Sequence, residues 1–94
     1  MTAPAAVASD GTLARGSHVV STRNVDGLGL YEVSFDRNVS NCAFLAGLGG
    51  TDNEILTGEV SATRSSGGVN NVFVLTSESR GMNVNQAFHL AVFC

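Results

Sequence analysis

The sequence has no lysine, no tryptophan and a single proline, and only 14% of its residues are charged. Without lysine there is neither the phosphate-binding lysine of a P-loop nor a Schiff-base nucleophile, so both chemistries are excluded. The positive charge is all arginine and is scattered over Arg15, Arg23, Arg37, Arg64 and Arg80. With a net charge of -3 and an isoelectric point near 5.0 the chain offers no clustered basic face for phosphates, and no nucleic-acid partner is expected. No apolar run approaches the roughly 18 residues of a membrane-spanning helix, so no membrane span is expected. Met1 to Ser9 lacks a basic region followed by a long apolar one, and no signal peptide is read in this chain. An average domain is about 25% charged. The shortfall here implies that part of the surface is covered, most simply by other copies of the chain.

What is present reads as one small β domain. A chain of 94 residues buries about 60 to 65% of its unfolded surface and supports one core. Residues 1–11 hold small residues and the only proline without periodicity, and are expected to form a flexible N-terminal arm that orders only if the body or a neighbour holds it. Over 12–94, short β-prone runs alternate with turn chemistry at intervals of roughly 8 to 12 residues, the spacing of a sandwich or barrel. Six strands are expected, near 17–23, 30–36, 42–48, 54–63, 72–76 and 87–94. In the second, Tyr31, Val33 and Phe35 alternate with polar Glu32, Ser34 and Asp36, whose face should meet water. The third and sixth are apolar at nearly every position and read as covered on both faces. No window carries the i, i+3, i+4, i+7 apolar spacing of a helix.

The chain also repeats itself. Asn38 to Leu48 aligns with Asn83 to Phe93 if Cys42 and His89 are single-residue slips, Val20 to Arg23 matches Val60 to Arg64, and Tyr31 to Phe35 matches Val72 to Thr76. Such self-similarity predicts a compact antiparallel β-sandwich built from two pseudo-repeated three-stranded units. The expected core is Tyr31, Val33, Phe35, Phe44, Leu45, Val74, Phe88, Leu90 and Val92.

Candidate chemistry is sparse. A Ser-His-acid hydrolase needs a histidine between a nucleophile and a carboxylate, and only His18 and His89 are available. His18 lies near Asp10 and Ser17, but there is no G-x-S-x-G elbow, and no catalytic residue is assigned. His89 sits in an apolar strand, either as a hydrogen-bonded core or interface histidine or as part of a histidine ring about a threefold axis. With it, Ala91 and Phe93 are the candidate interface or axis residues. Cysteine and histidine spacings fit no zinc motif, Asp52-Asn53-Glu54 lacks the regularity of a calcium loop, and Gly47-Leu48-Gly49-Gly50 fails the dinucleotide fingerprint; no metal or cofactor is expected. Asn38-Val39-Ser40 matches a glycosylation sequon by pattern alone. If the third and sixth strands are antiparallel neighbours, Cys42 at the start of one lies beside Cys94 at the end of the other, and a disulfide is expected; the alternative is two buried thiols in a reducing compartment.

At Tyr31-Glu32-Val33-Ser34-Phe35-Asp36-Arg37-Asn38-Val39-Ser40-Asn41-Cys42-Ala43, and again at Phe88-His89-Leu90-Ala91-Val92-Phe93-Cys94, the chain resembles a family of small β domains. These occur mostly in actinobacteria and their phages, often at the C-terminus of collagen-like or tail-fibre-like proteins. The likeness covers about Gly11 to Cys94 and implies an extracellular or particle-borne trimeric tip. The expected function is a non-enzymatic, self-associating module for assembly or adhesion, most simply a homotrimer at an extracellular or particle surface. The alternative is a lectin-like domain that binds a surface glycan or a small ligand.

Overall fold

In a computed structural model, which describes residues 2–94, the chain forms eight β-strands: β1 (Thr2–Val7), β2 (Leu13–Gly16), β3 (Val19–Asn24), β4 (Leu30–Phe35), β5 (Ala43–Leu48), β6 (Glu59–Arg64), β7 (Asn71–Ser77) and β8 (Phe88–Phe93). Two four-stranded sheets, ordered β2-β1-β8-β5 and β3-β4-β7-β6, are antiparallel at every pairing. The architecture is the all-β sandwich expected, with eight strands where six were read. The segments that match in sequence fall on β3 and β6, on β4 and β7, and on β5 and β8. Of these pairs, β4 lies against β7 in one sheet and β5 against β8 in the other, while β3 and β6 are opposite edges.

The first correction concerns the N-terminus. Described residues of the expected arm form β1, an internal strand held between β2 and β8, with Ala3 opposite Val92 and Ala5 opposite Leu90. Ala3, Ala5 and Val7 point into the core and are buried. Alanine and proline carry little strand propensity of their own, so only pairing with β8 makes this segment a strand. The second correction is that the expected 54–63 strand begins at Glu59, residues 54–58 remaining in a loop.

Side-chain parity builds the core between the sheets. Tyr31, Val33 and Phe35 of β4 and Val72 and Val74 of β7 face Phe88, Leu90 and Val92 of β8, all fully or almost fully buried. Val39, in the crossover from β4 to β5, is fully buried, and its N–H donates to the Val69 carbonyl at 2.8 Å. Phe44 packs on the edge of this cluster. Leu45, expected in the core, is 66% exposed on the opposite side of β5, so that strand is covered on one face only. The turn before β4 depends on Gly29, whose φ of +89° and close approach to the Thr76 carbonyl leave no room for a Cβ.

One residue of β4 departs from simple parity. Glu32 points away from the core yet is only 8% exposed, because the turn at 65–70 folds over it. Its Oε2 accepts from Ser65 Oγ at 2.7 Å and Asn71 Nδ2 at 3.3 Å, and its Oε1 from Arg23 Nη2 at 3.0 Å. The Ser65 hydroxyl, then Arg23 and Asn71, hold this carboxyl below its ordinary value against the opposing effect of burial. A lowered folded value contributes stability that is full above the unfolded value near 4.5 and is lost as pH falls through the folded one. Melting temperature should therefore fall more steeply below about pH 4.5 in the wild type than in Glu32→Gln. Parallel curves would show that this carboxylate does not drive the acid dependence.

Candidate functional site

The outer face of the β2-β1-β8-β5 sheet is built from the residues that alternate with the core. Strand register arranges them in rows. Gly47, His89, Ala6 and Arg15 lie abreast across the four strands; Leu45, Ala91 and Pro4 form the next row, continued by Ser17, whose N–H donates to the Pro4 carbonyl at 2.9 Å. Ala43, Phe93 and Thr2 form the last. Because the central positions are glycine, alanine and proline, the middle of the face is low. The result is an open trough of about 770 Å3 with Pro4, Ala6, Gly47 and Ala91 along it, Leu45 at one side and Arg15 at the other. Arg15 is the only arginine on it, and the trough lining is otherwise small, apolar or neutral apart from His89.

The segment after β5 closes one end. His89 Nε2 lies 3.0 Å from the Gly50 carbonyl, and Arg15 Nη1 donates to the Thr51 carbonyl at 2.8 Å. A carbonyl only accepts, so Nε2 carries the proton of this bond. Gly49 lies close against the ring; a Cβ there would stand 3.1 Å from Cε1. With Nε2 engaged, His89 has only Nδ1 left for a metal ion or a symmetry mate.

The three residues singled out from sequence, His89, Ala91 and Phe93, therefore share one outward face, Phe93 being 46% exposed. Cys42 and Cys94 are joined, with Cα atoms 4.5 Å apart. The β5–β8 register explains it, since Ala43 lies opposite Phe93 and the next pair outward is Cys42 and Cys94. Pro4, Ala6, Arg15 and Leu45 were missed as members of this face. Polarity does not alternate along β1 or β5, and only the pairing of these strands with β8 shows that Pro4, Ala6 and Leu45 face outward.

His18 is placed elsewhere, just before β3, in the left-handed region at φ 62°. Its Nδ1 lies 3.1 Å from Asp36 Oδ2 and 3.3 Å from Arg37 Nη2. Hydrogen bonding to His18, then to Arg37, lowers the Asp36 carboxyl. This is an oriented histidine–carboxylate pair, but no hydroxyl among the described residues is hydrogen-bonded to the ring, and both thiols are in the disulfide. Asp10, its other proposed neighbour, instead accepts from Thr12 N–H at 2.9 Å. Among the described residues no group of three or more His, Cys, Asp or Glu converges, and no helix is long and apolar enough to cross a membrane. A second depression, of about 380 Å3, is bordered by Ser40, Thr63, Ser66, Gly68 and Val69 with Arg64.

No protein-family model, curated protein or solved structure gives a significant match to this chain.

Proposed function

We propose that this chain is a self-associating β-sandwich module, used for assembly or adhesion at an extracellular or particle surface. The observation that carries the reading is the outer face of the β2-β1-β8-β5 sheet. It is contiguous, nearly uncharged, and presents Leu45 and Phe93 to solvent. Strand spacing and rise give it an extent of about 400 Å2, the size of the largest apolar patches on monomers, which are often functional. The trough is open rather than enclosed, so it suits a protein surface better than a small molecule, which would leave much of its own area in water. A disulfide persists in oxidising surroundings, which supports the surface location. The family resemblance implies three copies in a fibre tip.

Light scattering at micromolar concentration should return a multiple of the 9.7 kDa chain mass. Ala91→Glu places an unpaired charge in the middle of the face and should weaken association by about a hundredfold or more, with the fold intact by circular dichroism. A monomeric wild type would remove this reading.

The depression bordered by Ser40, Thr63, Ser66 and Arg64 favours a second reading, a glycan-binding domain. Binding on a glycan array that Arg64→Ala abolishes and Ala91→Glu leaves unchanged would select it.

A further inference from the structure

Each sheet has two edges, and natural β proteins shield such edges with charge, brevity, proline or bulges. Three of the four here are shielded. β2 has four residues and carries Arg15; β3 carries Arg23 and an irregular register between Val19 and Ser21; β6 carries Glu59 and Arg64. β5, Ala43–Leu48, has none of these devices, and its register with β8 is unbroken. It is also held firmly, by the disulfide just before its first residue and by the bond from Gly49 N–H to the Ala87 carbonyl after its last.

That last bond fixes which groups are free. Gly49 and Ala87 form a hydrogen-bonded pair, so in the alternation of an antiparallel ladder Gly47, Leu45 and Ala43 also bond to β8. Phe44, Ala46 and Leu48 then turn their N–H and C=O groups away from β8, on the side where β6 of the other sheet packs near β5 but, among the described residues, forms no ladder with it. An unpaired, uncharged, six-residue edge of this kind is a template for another strand.

We infer that two copies join along β5, each adding the other's Ala43–Leu48 strand to its β2-β1-β8-β5 sheet in an antiparallel register centred on Ala46. In that register Ala46 pairs with Ala46, and Phe44 with Leu48, so every outward backbone group of the edge exchanges hydrogen bonds with the partner. The side chains also match. On the outer face each Leu45, 66% exposed, stands opposite the other copy's Gly47, where a Cβ would find nothing within 4 Å. The leucine of one copy fills the gap left by the glycine of the other. No charged side chain lies on either strand, so two chains of net charge -3 meet where they do not repel. Pairing of the edges sets the two outer faces side by side in one eight-stranded sheet, so the seam is a contact separate from packing through the face.

The inference rests on the self-association reading and adds to it an edge seam, a pairing of two copies about a twofold axis that leaves the outer face free to pack against a further copy. Amide hydrogen exchange of the wild type, measured at concentrations where light scattering shows monomer and where it shows the associated form, tests it. The amides of Phe44, Ala46 and Leu48 should exchange at least tenfold more slowly in the associated form. Gly47→Val should retain or raise the monomer's melting temperature while weakening association at least tenfold. Association without protection of those amides would overturn the seam and leave packing through the sheet face. A wild type that is monomeric throughout would overturn the self-association reading, and the seam with it.

Discussion

Reducing the Cys42–Cys94 bond is expected to lower stability by roughly 4 kcal/mol, the chain-entropy value for a closed loop of this length. The cysteines are 52 residues apart in sequence, so the bond restricts more than half of the unfolded chain. A domain of this size has a total of roughly 5 to 14 kcal/mol to lose. At about 4 to 8 °C per kcal/mol, the melting temperature should drop by on the order of 20 °C when thermal unfolding is repeated with a reductant. The loss should also be local. Cys94 ends the chain and Cys42 leads into an edge strand, and both positions fray first when released. Amides bonding β5 to β8 should therefore lose protection before those of β4 and β7, which lie inside the other sheet. The Cys42→Ser, Cys94→Ser double variant should match the reduced protein. If its melting temperature lies within a few degrees of the oxidised wild type, the register of β5 against β8 alone constrains this part of the chain.

The same bond shows why part of the fold was legible in the residues. A repeat that ended both units in apolar strands, with one cysteine at the start of the first and the other at the end of the second, placed the pair correctly once the strands were taken as antiparallel neighbours. Alternation of Tyr31, Val33 and Phe35 with polar neighbours gave the inward face of β4 directly, whereas Phe88, Leu90 and Val92 were placed in the core of a strand expected to be covered on both faces. β1 was not legible in this way. Ala3, Pro4, Ala5 and Ala6 alternate in position but not in polarity, and what makes them a strand is backbone pairing with β8, a property of the folded sheet rather than of the segment.

The missed strand hid the site. Without β1 and β2 the apolar back of β8 is two strands wide and reads as something to be buried from both sides. With them it is the middle of a four-stranded face whose small residues leave a trough. Leu45 was drawn into the expected core for the same reason: in Ala43-Phe44-Leu45-Ala46 polarity does not distinguish the faces, and only pairing with Ala91 shows that Leu45 points out. Glu32 misled in the opposite sense. A carboxylate alternating with Tyr31 and Val33 reads as solvated, and its burial depends on Ser65 and Asn71, which are 33 and 39 residues away in sequence.

Phe88→Ala is expected to cost about 3 to 5 kcal/mol, from lost burial and from the cavity left behind. Phe88 has no exposed surface and lies in the strand that β1 and β5 both pair with. Its ring centroid is 5.0 Å from that of Tyr31 at an interplanar angle of 61°, an edge-to-face contact that links the two sheets through their largest core side chains. Tyr31 cannot follow a collapsing cavity, because its hydroxyl donates to the Ser9 carbonyl at 2.6 Å. The void should therefore persist, which puts the expected cost toward the upper end of the range. Phe93→Ala removes the same group five residues later on the outward parity of the same strand, and should change stability by less than about 1 kcal/mol. Urea unfolding of monomeric protein measures both. The midpoint should fall sharply for Phe88→Ala with the m-value unchanged, and barely move for Phe93→Ala. Comparable losses for the two variants would mean that the inward and outward faces of β8 have been exchanged, and with them the trough.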